Sequence, residues 1–514
     1  MRRKSPGVRI PLPPLLKFEK SSNLTIGAFF LNNIDPYTFF WCIHPHYPKI
    51  FNMKHIYLSF AAVLFIQLNL TDHTIAQDTV RVSLPEFVER GLERSGQTAY
   101  LNNTVDLAEN RAVQARNQRI LPRIELSTQH GVIPGVVSQK DLPPGQFYLD
   151  PDLSNDWEDW AIFTRAELSA VQPIFTWGAI NSAIEATEHA VRAAEFRFEA
   201  EKKEIEIQLF ELYYSYLLAL EMDRILVDAD SQMRQVERQL REMEEDGDPD
   251  LKQSDIFKFE IFKAEFEVQR VEVHQSLDSV KRIWSYALGS DGTVVFLPEQ
   301  DFIEAVPFEL EPFSFYEAIA MDNRAELRGA EAGIDATRKS IDAVRSQNYP
   351  SLFLGISGSY ANTPNRPRQT NPFIINSTNY ASAAVGLSIR QNLNFLSTRS
   401  NVERAEIEHR RVRNLKDALS DGITLELNER YREAVVAQNK VKQLEEVLTI
   451  SRNWVRQEQL DYDFGFGEVD DLIESVQKEL ETRVELKQNV FELNTKIATL
   501  YKAAGIPINQ LSLN

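Results

Sequence analysis

The sequence predicts a mostly α-helical chain that carries a transmembrane β-barrel, organised as two structural repeats and completed only by oligomerisation. Three observations predict this. Between Gly178 and Gly247 lie 68 residues without Gly or Pro, and the run 396–463 has the same character with Gly422 as its only break. An ordinary globular helix covers about 8 to 20 residues, whereas each of these runs makes a helix of roughly 100 Å. Each run also follows a stretch in which apolar and polar residues alternate, as in Arg165-Ala166-Glu167-Leu168-Ser169-Ala170 and again over 381–389. That period of two is a strand with one apolar face. Finally, the chain repeats itself. Ala115/Ala343, Ile124/Leu352 and Leu126/Leu354 stand 228 apart, Tyr213/Tyr431 stand 218 apart, and Asp255/Asp471 and Gly289/Gly505 stand 216 apart. A repeat this long is a duplicated half and not a solenoid unit.

In chain order, residues 1–52 read as an unstructured, non-native upstream extension, because a signal peptide follows them at 53–76. Its parts are Met53-Lys54-His55, an apolar run over 56–70 and the small-residue site Thr74-Ile75-Ala76, with cleavage before Gln77. The apolar run is shorter than the ~20 residues that span a bilayer. The chain's one cysteine, Cys42, lies upstream of the cut, so the exported protein has no disulfide framework and no thiolate site. Removing 1–76 takes the formal charge from −19 to −24, which argues against nucleic acid as a partner.

The first repeat, 77–289, opens with short helices over 83–94 and 98–121, the second ended by Pro122. Strands follow at about 123–133 and 162–175, separated by a surface loop over 134–160 that is loaded with Pro, Gly, Asp and Asn. Then come the long helix 178–245 and a return helix 250–288. A linker or equatorial segment covers 290–313. The second repeat, 314–505, has strands at about 351–361 and 380–393, a long helix 396–463 and a return helix 468–504, before a tail at 506–514. In each half the two shorter helices together match the length of the long one. They are therefore expected to stack end to end along it, giving a strand hairpin above an extended antiparallel coiled coil.

Four strands cannot close a barrel, for which ~8 is the usual minimum, and an open sheet leaves exposed edges. Other copies of the chain are expected to complete it. One face of the strands is aliphatic, with Ala166, Leu168, Ala170, Ala381, Ala383, Val385, Leu387 and Ile389. The other face is polar, and Arg165, Glu167, Ser388 and Arg390 are expected to line a wet lumen. No chemistry competes with passage. His130, His189, His274 and His409 have no metal-ligand spacing, there is no Gly-rich phosphate loop, and the acids Asp470, Asp471 and Glu474 come with no nucleophile. No catalytic residue, metal site or cofactor is expected. The rival reading, a periplasmic coiled-coil scaffold or adaptor without a pore, explains the helices but leaves four amphipathic strands without a purpose.

The residues resemble the TolC family of outer-membrane efflux proteins over nearly the whole exported chain. The resemblance is carried by Leu84-Pro-Glu-Phe87, Leu121-Pro122, Gln172-Pro-Ile-Phe-Thr-Trp-Gly178, Arg324-Ala-Glu-Leu327 and the turn from Phe464 to Glu474. It implies a homotrimer with a 12-stranded barrel in outer-membrane lipid and an α-helical tunnel through the periplasm. It also implies an exit duct for efflux or type I secretion, with a periplasmic adaptor and an inner-membrane efflux pump or ABC transporter as partners. Aligned on Gly465, the resemblance puts Tyr462 on the family's constriction tyrosine and Asp471 and Glu474 on its acidic ring. Asp255 falls on the aspartate that the tyrosine hydrogen-bonds, and Gly467 stands where some members have an arginine latch. The hairpin tips, Gly247 with Pro249 and Gly465 with Gly467, are the expected adaptor contacts.

Overall fold

The computed structural model describes residues 78–514 except 248–250, 291–293, 369–370, 372, 374–376, 465 and 512–514. The upstream extension, the signal peptide, its cleavage at Gln77, and the tip residues Pro249 and Gly465 lie outside the described residues.

The elements, in order, are β1 (Asp78–Val82), α1 (Leu84–Arg94), α2 (Gly96–Ile120), β2 (Arg123–Val137), β3 (Ser154–Phe175), α3 (Ala179–Asp246) and α4 (Gln253–Leu288). After them come β4 (Val294–Pro298), α5 (Phe313–Asn323), α6 (Ala325–Ser346), β5 (Ser351–Asn362), β6 (Tyr380–Arg390), α7 (Phe395–Asp463) and α8 (Val469–Ala504). Glycine in the left-handed region ends three of the helices: Gly247 (φ 65°), Gly289 (φ 71°) and Gly505 (φ 74°). With no Cβ, glycine holds this conformation without strain and lets the last carbonyls find donors.

Strands β2, β3, β5 and β6 form one antiparallel sheet in that order. Its register sets Leu126 opposite Leu168, and Ile124 in line with Ala170, Ile356 and Val385. Two strands outrun expectation. β2 continues to Val137 and β3 begins at Ser154, so much of the expected loop 134–160 is ladder, with a register shift between Pro134 and Gly135. The residues there include turn formers such as Pro134-Gly135 and Asn155-Asp156, so the apolar alternation that marks a half-buried strand is missing from the sequence. Pro134 is tolerated because it stands at this register shift, where the ladder is already interrupted. β6 is shorter than expected: it stops at Arg390, and Asn394 caps α7 by accepting from the Ser397 N–H at 3.4 Å.

The strand-to-helix passage is built the same way twice. Gln172 Nε2 donates to Arg119 O at 2.9 Å, and its repeat mate Gln391 donates to Asn348 O at 3.3 Å. Trp177 and Gly178 both have positive φ, 52° and 85°, and the Trp177 indole N–H donates to Pro350 O at 2.8 Å, tying the first passage to the second repeat.

Within the chain the helices keep the order of the strands. α3 lies between α2 and α6 near the sheet and between α4 and α8 farther away, while α7 lies on α6 and then on α8. The long helix of the first half thus packs on helices of both halves, beyond the pairing within one half that the lengths suggested. The linker contains an element of its own: β4 pairs in parallel with β1, Asp78 opposite Val294 through Val82 opposite Pro298.

At this equator sits the largest core. Phe87 stacks on Trp284 at 4.2 Å between ring centroids, and Tyr213 and Tyr216 lie 5.4 and 4.8 Å from the same indole. Trp284 Nε1 donates to Leu212 O at 3.1 Å. Burial pushes the Tyr213 and Tyr216 hydroxyls up to about 12. Buried Arg324 explains its own motif: it binds both carboxylate oxygens of Glu326, Glu426 on α7 and the Ala503 carbonyl at the end of α8, each at 3.0 Å.

Candidate functional site

Two surfaces carry the residues singled out in the sequence: the polar face of the sheet, and the far end of the coils where the two hairpins turn. On the sheet, the register puts Arg165, Glu167, Ser388 and Arg390 on one face together with Ser359 and Ser382. Arg165 Nη2 meets Glu167 Oε1 at 2.6 Å, Ser359 Oγ meets Ser382 Oγ at 2.6 Å, and the Arg390 guanidinium lies 5.1 Å above the Phe353 ring. The opposite face exposes Ile124, Leu126, Leu168, Ile356, Val385, Leu387 and Ile389. Exposed aliphatic side chains in a row belong against lipid or protein, not water. Among the described residues no helix is long and apolar enough to cross a membrane.

At the far end, α3 finishes at Gly247, which is exposed, and α4 begins a few residues on with Asp255 in its first turn. Asp255 is 5% exposed and accepts from Ser254 Oγ at 3.1 Å. The second turn folds back on itself: the N–H groups of Phe466 and Gly467 both donate to Asp461 O, at 2.8 and 3.0 Å. A Cβ on Gly467 would stand 2.8 Å from the Tyr462 nitrogen, so glycine is required there and an arginine would not fit without moving the turn.

Tyr462 lies in a small apolar cluster with Val236, Leu240, Phe259, Val469 and Ile473. Its hydroxyl donates to Met243 Sδ, a thioether near the end of α3, at 3.0 Å, while Asp255 lies in the first turn of α4. Asp471 and Glu474 occupy one exposed side of α8, three residues apart, with no cation within ion-pair distance among the described residues.

Their neighbours behave differently. Glu468 pairs with Lys252 at 2.8 Å and Asp470 pairs with Lys258 at 2.6 Å, joining the start of α8 to the start of α4. Glu468 and Asp470 each raise the partner lysine above its ordinary range through that hydrogen bond. On its own, each acid reads as part of a solvated helix face. A signal was present: at the repeat offset of 216, Lys252 falls on Glu468 and Lys258 on Glu474, so equivalent positions of the two halves carry opposite charge. Two further residues escaped notice. Phe464 and Phe466 at the tip are 72% and 87% exposed, a pair of apolar rings with little cover from their own chain.

Residues 318–506, most of the second repeat, match the family model described as outer membrane efflux protein. No curated protein matches the chain by sequence. Several solved structures are similar to it over most of their length. The outer-membrane channel OprN aligns with a TM-score of 0.64 at 15% identity, over 82% of this chain and 90% of that one. CusC aligns at 0.66 and 14%, over 83% and 93%, and the MtrE outer membrane channel of Neisseria gonorrhoeae, solved in its open state, at 0.60 and 14%, over 82% and 89%. At these identities the structures establish the fold, with its strand pairs and long antiparallel helices. Together with the match over the second repeat, they show that this chain has the fold of these outer-membrane channels and that its second half is similar to the outer membrane efflux protein family.

Proposed function

We propose that three copies of this chain form the exit duct of an efflux or type I secretion system, docked through a periplasmic adaptor to an inner-membrane efflux pump or ABC transporter. The observation that carries this is a pair of open edges running the length of the chain. β2 and β6 are the free edges of the sheet, four strands per chain, so three copies supply the twelve of a barrel. Below them, α4 exposes Phe257, Ile261, Val268 and Val271 on one side of the helix layer, and α7 exposes Val447, Ile450 and Leu460 on the other. An unpaired strand edge and an uncovered apolar stripe are both costly in isolation. A head-to-tail ring of copies covers both at once, because one chain's first edge meets the next chain's last.

In this reading Arg165, Glu167, Ser388 and Arg390 face the lumen and Asp471 and Glu474 form a ring of six carboxylates at the periplasmic end. Such a ring concentrates cations and repels anions. The pairs Lys252–Glu468 and Lys258–Asp470 hold the two hairpins together there, with Tyr462 and Met243 packed behind them. They do the work that an arginine at position 467 has no room to do. Gly247, Gly467 and the bare rings of Phe464 and Phe466 offer the adaptor a surface at the tip, beside Pro249 and Gly465.

Detergent-extracted protein run through light scattering tests the assembly: the expected mass is three times that of the exported chain, and a monodisperse monomer would remove the barrel. In planar bilayers, Asp471→Asn with Glu474→Gln should abolish cation preference. Unchanged selectivity would make those two acids ordinary solvated side chains.

A further inference from the structure

Where the β2–β3 hairpin meets the loop between β5 and β6, at the end of the sheet away from the helices, lies a cavity of about 360 Å³. It opens on the polar face, since Gln129, Phe163, Arg165 and Ala361, which line it, share that face by register. The size suits a one- or two-ring organic molecule. Its floor is the Phe163 ring, which lies so flat across Gly131 that a methyl group there would run into it. At its rim stands Trp157, held by the Trp160 indole N–H, which donates to Trp157 O at 2.8 Å, and by the Trp160 ring at 5.9 Å.

The charge in the cavity comes from two guanidiniums in different states. Arg165 is already neutralised by Glu167 at 2.6 Å. Arg366 is not: Nε donates to Pro134 O at 2.9 Å and Nη2 to Asn155 Oδ1 at 3.3 Å, both neutral acceptors, and among the described residues no carboxylate lies within ion-pair distance of it. Nor is it a loose surface side chain. Its own backbone is fixed, N–H to Thr363 O at 3.2 Å and carbonyl accepting from Asn379 Nδ2 at 2.6 Å. A cation with its charge uncompensated, lining the same cavity as two aromatic side chains, is the arrangement that recognises a planar anion: the carboxylate takes the remaining guanidinium N–H groups and the ring stacks on Trp157 or Phe163.

We infer that this cavity is a binding site for small aromatic carboxylates at the extracellular end of the lumen, a last station for cargo before release. The inference rests on the polar face being the lumen, and it names a substrate class that the duct reading leaves open. The test is calorimetric titration of 1-naphthoate into the detergent-solubilised exported protein, with its trimeric mass checked in the same sample. Saturable binding at one site per chain is expected. Cyclohexanecarboxylate, which lacks the flat ring, and 2-naphthol, which lacks the charge, should each bind about tenfold or more weakly. Arg366→Gln should cost a similar factor, and so should Trp157→Ala, which leaves the loop's hydrogen bonds untouched and decides the matter if the arginine variant distorts the loop. A trimer that binds no 1-naphthoate saturably, or that binds all three compounds alike in both variants, overturns this inference and leaves the duct standing. Absence of the trimer overturns both.

Discussion

The equator and the periplasmic tip of the same helices are held together by different forces. Along α8 the buried positions above Arg483 are apolar apart from Asn494, with Leu486, Val490, Leu493, Ile497 and Leu500 the large ones, while below it Ser475, Glu479 and Thr482 are buried alongside Val469, Leu472 and Ile473. Each large apolar side chain in the upper set contributes about 1.5 to 3 kcal/mol by leaving water. The three buried polar side chains of the lower part contribute little of that kind. Ser475 Oγ and Thr482 Oγ1 donate to carbonyls of their own helix, Leu472 O at 2.9 Å and Lys478 O at 2.8 Å, and Glu479 accepts from Arg452 and Arg483 at 3.4 and 3.1 Å. The equator holds the larger and more continuous apolar core, while the coil below it combines smaller apolar clusters with buried polar contacts, so the proposed gate at the tip can move without unfolding the rest.

That contrast is broken first at the equator. Trp284→Ala removes the ring on which Phe87, Tyr213 and Tyr216 converge, and should cost about 4 kcal/mol of unfolding free energy, measured by urea titration of the solubilised protein. A loss below ~1 kcal/mol would mean the aromatic cluster is not the core it looks to be. The lower coil is less demanding. Glu479→Ala takes one partner from each of two arginines, but Arg452 is half in solvent and Arg483 keeps Asp228 at 3.2 Å, so the expected cost is about 1 kcal/mol. Glu479→Leu, which refills the volume without charge, should recover most of that and slow opening, visible as longer closed times in bilayer recordings. Equal loss in both variants would show that the acid, and not packing, holds α7 to α8. Smaller again is Tyr462→Phe: a thioether is a weak acceptor, so less than ~0.5 kcal/mol is expected, with little change in conductance. A large jump in conductance would restore the tyrosine as a latch on its own.

Alkaline pH should act on the tip before it reaches the equator, where burial holds the Tyr213 and Tyr216 hydroxyls up at about 12. Lys252 and Lys258 have raised pKa values, so their pairs stabilise the tip fully below the ordinary lysine value of ~10.4 and are lost as pH rises through the raised values. Conductance should stay flat from neutral pH to about 10 and climb beyond it, with the lysine-to-arginine double variant holding flat to higher pH. A rise well below pH 10 would assign the closure to other groups.

How much of this the sequence carried follows from the range of the forces. Long helices and their glycine ends are local, and Gly247, Gly289 and Gly505 announce theirs through a conformation few other residues accept. The two-faced strands were visible wherever apolar and polar residues alternate, as from Ala381 to Ile389, and vanished among the Pro, Gly, Asn and Asp residues beyond Ile133. The parallel pair β1 with β4 joins residues 216 apart, and no local pattern shows that pairing. At the tip, the resemblance drew attention to Tyr462 and Asp255, but which atom a side chain reaches depends on how α3, α4, α7 and α8 cross, and the sequence holds no distances between them. The lysines were hidden by their ordinariness, since a charged residue on an acidic helical protein looks solvated until its partner is known.

The most direct test of the account is the conductance of purified trimers in planar bilayers when Lys252→Glu and Lys258→Glu are combined, turning both tip pairs into repulsions. A several-fold higher conductance is predicted, with reversal to the closed level when Glu468→Lys and Asp470→Lys are added to restore the pairs in the opposite sense. Conductance equal to that of the unaltered trimer in the double variant would contradict the claim that these pairs close the periplasmic end.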